Sequence, residues 1–211
     1  MTSSVPPAPT DAPLALDPLA LDLLELERAR LFALLGRLLV APPDAALLAS
    51  LRDLRGDFGT PLGAAYDRLA EAARQTGPEP VEREYHALFI GIARGELLPF
   101  ASYYLTGFLN ERPLADLRES LRRLGIERAP GVHEPEDHLG FLCETMAGLI
   151  AGLFPATPEA AAEFFTRHIQ PWAMRCFADL EAAESARFYR AVGALGRAAL
   201  ETEITAAELP R

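Results

Sequence analysis

The stretch PLALDLLELERARLFALLGRLLV, residues 18–40, constrains the fold more than any other part of the sequence. Apolar side chains recur near the helical period of about 3.6 residues, and leucine and phenylalanine fill many positions between them. Pro18 suits the first turn of a helix, and the pattern ends near Val40, before an Ala-Pro-Pro-Asp sequence. A helix that is apolar on much of its circumference needs neighbours on several sides. We therefore predict that this helix lies near the centre of a bundle.

Proline and capping residues mark further helix starts along the chain. Pro42 and Pro43 are predicted to open a second helix that ends near Gly56, and Thr60 followed by Pro61 a third. Another helix is predicted to begin at Pro80, and others to cover residues 114–124, 135–154, 158–169, 171–181 and 185–201. No run of alternating apolar and polar residues bounded by turns is present, so the sequence predicts no strand.

These segments predict an all-α, single-domain helical bundle of about eight to ten helices, with a hinge-like loop before the EPEDH sequence. Residues 1–16 are rich in Pro, Ala, Ser and Thr, and we predict a disordered or loosely docked N-terminal tail there. The helical domain is predicted to cover residues 17–205, with the hinge region near 125–135.

The composition narrows the classes of partner. A formal net charge of −10 disfavours nucleic acid and anionic lipid surfaces and favours cationic partners. The longest apolar run, Met146 to Phe154, has nine residues, too few to cross a bilayer. The N-terminal segment lacks the early Lys or Arg of a secretory signal peptide, so we expect a cytoplasmic protein. Cys143 and Cys176 lie in apolar sequence without a CxxC pair, and we expect reduced thiols in the core.

The sequence HEPEDH resembles a zinc-protease motif only superficially. His133 and His138 are five positions apart, which is about 140° around a helix, whereas the HExxH motif places both histidines on one face. Pro135 also disfavours helical geometry at Glu134. No nucleophile elbow or phosphate loop is present. We therefore predict no metal, no cofactor and no catalytic residues. Two alternatives stay open: a metal- or nucleotide-dependent hydrolase centred on Glu134, Asp137 and His138, and a helical scaffold without a peptide site.

The same residues suit the start of a helix. Glu134 would lie near the N-cap and Pro135 at the first helical position. Glu136 and Asp137 would lie in the first turn, where carboxylates complement the helix dipole. The acidic neighbours of His138 favour its protonated form. We expect its side chain to make an interhelical hydrogen bond, to orient the Asp137 carboxylate or to donate to a peptide carbonyl.

A non-periodic segment, LLPFASYY (residues 97–104), combines many apolar and aromatic side chains. Loops are rarely buried, because their backbone polar groups need partners. The segment therefore either plugs the core or lines a groove, and the sequence supports both interpretations.

Three blocks of the sequence, taken together, resemble the TorD/DmsD family of molybdoenzyme-specific chaperones. The blocks are EYHALFIG followed by LLPFASYYLTG, then EPEDHLGFLCETMAGL, then FFTRHIQPWAMRCFADLEAAESARFYRAVGALG. The named positions of the family's E-P-x-D-H and H-x-x-x-W patterns are filled by Glu134, Pro135, Asp137, His138, His168 and Trp172. Order and spacing are kept over roughly residues 20–200.

The resemblance implies a cytoplasmic, non-enzymatic chaperone for maturation of a molybdopterin-containing oxidoreductase. Such a chaperone binds the twin-arginine signal peptide of its client, with the body of the client subunit as a further contact, and delays export until the cofactor is inserted. It would be a monomer or a domain-swapped homodimer. Family positions implicated in peptide binding match Pro99, Phe100, Tyr104, Pro135, Asp137 and His138. Phe100 stands where several relatives have tryptophan, so the aromatic surface is kept and the indole donor is lost.

A physical argument adds further acidic residues to this expected site. A twin-arginine leader has a cationic head and an apolar segment, so its receptor needs carboxylates beside an apolar groove. Glu134, Glu136 and Asp137 would supply the carboxylates, and the LLPFASYY segment the apolar surface. Some relatives are reported to bind guanine nucleotide, but no phosphate loop in this sequence supports such binding.

Overall fold

The structure, a computed structural model, describes residues 18–57, 59–92, 94–127, 134–157 and 159–208, with side chains described from residue 23 onward. The predicted tail, residues 1–16, lies outside the described residues. Residues 128–133 of the predicted hinge, which include His133, also lie outside them. Within the described ranges the chain forms ten α-helices and no strand, which confirms the all-α prediction. None of the helices in these ranges combines the length and the apolar character needed to cross a membrane.

These helices are separated by connections of different lengths. In chain order they are α1 (Pro18–Val40), α2 (Ala45–Arg52), α3 (Pro61–Arg74), α4 (Pro78–Tyr85), α5 (Ala101–Thr106), α6 (Arg112–Arg123), α7 (Leu139–Ile150), α8 (Ala160–Phe164), α9 (Ala173–Ala182) and α10 (Phe188–Glu208). A π-helical turn continues α4 over His86–Ile90, and another continues α8 over Phe165–Ile169.

Capping side chains explain several of these boundaries. The Thr60 hydroxyl accepts a hydrogen bond from the Gly63 amide at 2.9 Å, so α3 begins at Pro61 as predicted. The second helix begins later than predicted, after the two prolines, because the Asp44 carboxylate accepts from the Leu47 amide at 2.8 Å and so sets the first residue at Ala45.

The helix that follows the EPED sequence is shorter at both ends than predicted. It begins at Leu139 rather than Pro135, because His138 has an extended conformation (φ −65°, ψ 133°) and is itself the N-cap. It ends at Ile150 rather than Phe154, because Gly152 adopts a positive φ of 66°, which terminates a helix. The acidic residues therefore precede the helix instead of forming its first turn.

The first helix occupies the central position that its apolar pattern predicted. Side chains of α1 such as Phe32, Leu35 and Leu38 are completely buried. Its most extensive contacts are with α7, and α10 packs on α9 and α3. At the crossing of α1 and α7 a methyl group on Gly36 would lie only 3.0 Å from the Gly140 carbonyl oxygen, so the close approach requires glycine. This packing fixes α7 and the residues directly before it.

Side chains from distant helices satisfy the ends of α1 and α10. The Tyr85 hydroxyl donates to the Val40 carbonyl at 2.8 Å, and the Tyr189 hydroxyl donates to the Leu38 carbonyl at 3.0 Å. These carbonyls belong to the last turn of α1, which has no intrahelical partners for them. The Glu84 carboxylate accepts from backbone amides at the start of α10, including that of Tyr189 at 2.7 Å. The C-terminus of α1 and the N-terminus of α10 are thus held by side chains of other helices.

Candidate functional site

Two chain segments that are distant in sequence meet beside α7. The Ala101 amide donates to the Asp137 carbonyl at 2.9 Å, and the Leu139 amide donates to the Pro99 carbonyl at 2.8 Å. Phe100 and His138 form an isolated antiparallel β-bridge between these bonds. The LLPFASYY and EPEDH segments, which the sequence singled out separately, therefore form one unit.

Asp137 connects this unit to α5. Its side chain is fully buried, and its Oδ2 accepts a hydrogen bond from the Ser102 amide at 2.8 Å, in the first turn of α5. The carboxylate thereby satisfies a backbone amide that has no partner inside the helix. Its other oxygen, Oδ1, and the Ser102 hydroxyl are buried without a hydrogen-bond partner among the described residues. The buried Asp137 carboxylate thus caps the start of α5.

His138 has the corresponding role for α7. Its Nδ1 accepts from the Gly140 amide at 3.1 Å, and its ring meets the Phe100 ring edge-to-face with centroids 5.1 Å apart. Burial lowers the pKa of His138 to about 4, because the charged form would lose its hydration. The expectation of a protonated His138 is therefore wrong: desolvation outweighs the acidic neighbours.

Glu136, another acid of the EPEDH segment, lies against α6. Glu136 is almost completely buried and accepts from the Arg118 guanidinium at 2.8 Å and 3.0 Å. This pairing raises the pKa of Arg118. Glu136 lines a cavity of about 310 Å³ with Arg118. Glu134 is exposed, and Pro135 is half-buried.

The α5 helix forms one wall of a groove of about 620 Å³, and α9 forms the facing wall. Leu98, Tyr103 and Tyr104 provide apolar and aromatic surface, while Arg175 and Asp179 come from α9. The LLPFASYY segment therefore has both of the roles that its sequence allowed. Its residues Leu97, Pro99 and Phe100 are buried, whereas Leu98, Tyr103 and Tyr104 remain partly exposed.

Tyr104 joins the two walls. Its hydroxyl donates to Asp179 Oδ2 at 3.0 Å, and its ring packs against Trp172 with centroids 5.3 Å apart. Burial, aided by Cys176 and then by the Asp179 carboxylate, raises the pKa of the Tyr104 hydroxyl, so it stays a donor at neutral pH. Beyond α5 the chain exposes further large apolar side chains, Phe108 and Leu109.

The predicted site residues thus separate into three groups. Tyr104 lines the groove, whereas Pro99, Phe100, Asp137 and His138 lie in or beneath its wall, and Glu134, Pro135 and Glu136 lie outside the groove lining. The acids of the groove are instead Glu96 and Asp179, which the sequence analysis missed. No local signal could have indicated that Asp179 meets Tyr104, since 75 positions separate them. The one sequence clue was that Asp179 follows Trp172 by seven positions, on the same face of a helix.

In the hydrolase alternative, Asp137 and His138 would be catalytic residues, but in this structure their side chains cap helices. Asp137 and His138 each accept a backbone amide hydrogen bond at a helix N-terminus. Across the described ranges, no three His, Cys, Asp or Glu side chains are grouped so that they could hold a metal ion. Cys143 and Cys176 are free and buried.

Fold and site together define an all-helical protein with an open groove of aromatic, apolar and charged side chains. A family model described as nitrate reductase delta subunit matches residues 55–178, more than half of the chain, and includes both segments of the site. The chain therefore belongs to this family, and its resemblance to the TorD/DmsD chaperones is confirmed.

Curated relatives support this assignment. The chain is 29% identical over 117 residues to the chaperone protein TorD of Vibrio cholerae, covering 51% of this chain and 52% of the relative. It is 26% identical over 129 residues to the chaperone protein TorD of Aliivibrio salmonicida, covering 56% and 60%. It is 32% identical over 88 residues to that of Vibrio vulnificus, covering 41% and 40%. The chain spans about half the length of the curated relatives it matches.

Proposed function

We propose that the protein is a chaperone for maturation of a molybdopterin-containing oxidoreductase. In this proposal it binds the twin-arginine signal peptide of its client and delays export until the cofactor is inserted. Family membership supports the chaperone role. The observation that carries the peptide-binding role is the groove between α5 and α9, where tyrosine, leucine and carboxylate side chains lie together.

The groove suits the two parts of such a leader. Leu98, Tyr103 and Tyr104 offer apolar surface to the hydrophobic segment of a leader, and exposed Phe108 and Leu109 extend this surface beyond α5. Asp179 and Glu96 offer carboxylates to a cationic head. Partly exposed ion pairs contribute only about 0.2–1 kcal/mol each. Apolar contacts therefore supply most of the affinity in this proposal, and the carboxylates supply selection.

The residues of the two signature segments have different roles in this proposal. Tyr104 touches the peptide directly, and exposed Glu134 remains a candidate for contact with a cationic residue. Pro99, Phe100, Asp137 and His138 act through α5, because their bonds set where Ser102 and the following tyrosines lie. Half-buried Pro135 supplies a backbone carbonyl to the His138 amide, and Glu136 holds the segment on α6.

Calorimetry with a synthetic twin-arginine leader tests the proposal. We expect Tyr104→Ala to weaken binding by about five- to thirtyfold, the loss expected for an aromatic residue at the centre of an interface. The control Arg68→Gln changes an exposed residue of α3 that does not line the groove, and it should leave the affinity unchanged. Equal affinities of wild type and Tyr104→Ala would contradict the proposed site.

A second peptide distinguishes direct contact from positioning. Replacing both leader arginines with alanine removes any bond that a carboxylate makes to them. If Asp137 acts through α5, Asp137→Asn should weaken both peptides by the same factor and also lower the melting temperature. An effect of Asp137→Asn that is confined to the twin-arginine peptide would instead indicate that Asp137 contacts the arginines.

A further inference from the structure

Two arginines of the chain itself lie over the two tyrosines of the groove. The guanidinium carbon of Arg94 is 5.8 Å from the centroid of the Tyr103 ring, and that of Arg175 is 5.8 Å from the centroid of the Tyr104 ring. Both arginines line the groove. A cation within about 6 Å of an aromatic face is attracted by the ring quadrupole. One face of each tyrosine ring is thus covered by a guanidinium group of this protein.

Neither arginine is held firmly in its position. The Arg175 side chain is 76% exposed, and its Nε is 4.0 Å from Asp179 Oδ2, at the limit of an ion pair. Arg94 is also exposed, and no carboxylate of the described residues lies within ion-pair distance of it. Exposed cation–π contacts are weak, so an incoming cation could exchange with either arginine at little cost.

The geometry of the tyrosines fits two cations from neighbouring residues. The rings of Tyr103 and Tyr104 are 6.0 Å apart and nearly perpendicular, at 85°. Their faces therefore point in different directions, and no single guanidinium could cover both. Adjacent residues of an extended peptide also send their side chains in different directions. Two consecutive arginines on one peptide could approach the two faces at the same time.

We propose that Arg94 and Arg175 hold the two guanidinium positions of the empty groove and yield them to two adjacent arginines of a bound peptide. This inference rests on the proposed function, since it assigns the twin-arginine pair to Tyr103 and Tyr104. Arg94 and Arg175 then limit the affinity, because each bound peptide must displace them. A planar guanidinium stacks on an aromatic ring, whereas an ammonium is compact and strongly hydrated. A leader with two lysines should therefore displace them less readily.

The charges of the groove support this role. Its lining contains two arginines, Arg94 and Arg175, and two carboxylates, Glu96 and Asp179, so the empty groove is balanced. The Asp179 carboxylate is already engaged by the Tyr104 hydroxyl, and Glu96 accepts from the Ser185 amide at 3.2 Å. Movement of the two arginines into solvent would leave both carboxylates beside the arriving cations. Exchange of the two protein guanidinium groups for two guanidinium groups of the peptide leaves the net charge of the groove unchanged.

Glutamine variants of the two arginines test this exchange. In calorimetry with the twin-arginine leader, Arg94→Gln and Arg175→Gln should each bind about two- to fivefold more tightly than wild type, the factor that a weak exposed cation–π contact represents. The double variant should bind more tightly than either. Arg68→Gln removes the same charge from α3 and should leave the affinity unchanged. All of these positions are exposed, and circular dichroism melts would verify that the variants fold.

A small probe separates this inference from the proposed function. N-acetyl-argininamide carries one guanidinium and no leader sequence, and its binding can be followed by the NMR shifts of the tyrosine ring protons. The double variant should bind this probe more tightly than wild type. If wild type binds the leader but the glutamine variants bind it no more tightly, the exchange is wrong and the proposed function stands. If no leader binds but the double variant takes up the probe more tightly, the guanidinium positions stand and the peptide proposal falls. If no leader binds and the double variant binds the probe no more tightly than wild type, both the exchange and the peptide proposal are overturned.

Discussion

His138 shows how one side chain can link stability to pH. Its Nδ1 caps α7 in the neutral form, and burial lowers its pKa from 6.5 to about 4. Because the unfolded chain binds the proton more readily, the stabilisation is fully present above pH 6.5 and is lost as the pH falls from 6.5 toward 4. His168, which contacts the Ser120 hydroxyl at 2.9 Å, also has a pKa lowered to about 4, first by burial and then by Arg167.

Urea unfolding at two pH values measures this linkage. Between pH 7.5 and pH 5 we expect His138 to account for a loss of about 2 kcal/mol in the free energy of unfolding. Asparagine at this position can still cap α7 but does not titrate. His138→Asn should therefore show a pH dependence that is smaller by about this amount. An identical pH dependence of wild type and variant would mean that His138 is not desolvated in the native state.

At the scale of helices, the structure shows which helix starts can be predicted from local sequence. Thr60 and Pro61 act on the amides directly after them, and the start of α3 is predicted to the residue. Pro135 and the following acids look like an equally good start. They form a turn instead, and the backbone bonds from Asp137 and Leu139 to residues 99–101 hold His138 extended. The α5 helix was missed for the same reason, because the Asp137 carboxylate that caps it lies 35 positions away from Ser102.

The candidate site, too, could be predicted only where its residues form a local sequence pattern. Tyr104 and the two segments were found because they carry recognisable residue patterns. Arg175 and Asp179 were not, because they lie on α9 and only the fold brings that helix to the tyrosines. Arg94 and Glu96 lie just before the LLPFASYY segment but belong to no recognised pattern. Local patterns therefore indicated the wall of the groove and not its charges.

The cap of α10 provides a prediction at this scale. Glu84 accepts from the amides of Arg187, Phe188 and Tyr189 at 2.7–3.1 Å. Truncation by Glu84→Ala leaves these amides without the carboxylate and removes a favourable interaction with the helix dipole. We expect the free energy of unfolding to fall by about 1–2 kcal/mol in urea titrations.

Glu82→Ala is the matched control for this prediction. Glu82 is an exposed residue of the same helix, and the described residues offer its side chain no backbone amide. Its replacement should change the free energy of unfolding by less than about 0.5 kcal/mol. Equal effects of both alanine variants would show that helix propensity, and not capping, sets the loss.

For the whole molecule, the most informative bond joins α1 to α10. Tyr189 is completely buried, and its hydroxyl satisfies the Leu38 carbonyl, 151 positions earlier in the chain. Burial raises the pKa of Tyr189. It also raises the pKa of Tyr85, whose ring lies beside that of Tyr189, to about 12. Both hydroxyls therefore remain donors over the physiological pH range.

Tyr189→Phe tests how much this long-range bond contributes. The variant keeps the ring but leaves a buried carbonyl with one donor fewer, so we expect a loss of about 1–2 kcal/mol in the free energy of unfolding. Tyr66→Phe provides the comparison, since the half-buried Tyr66 hydroxyl makes no hydrogen bond to the described residues. Its replacement should cost less than about 0.5 kcal/mol. A loss in Tyr66→Phe as large as that in Tyr189→Phe would contradict the assigned role of the hydroxyl.

The central position of α1 has a consequence for how the protein is made. This helix leaves the ribosome well before α7 and α10, which pack against it and supply a partner for its last turn. A nascent chain that lacks α10 displays the apolar sides of α1 and leaves part of its final turn without partners. Until α10 has emerged, the nascent chain itself needs protection from aggregation.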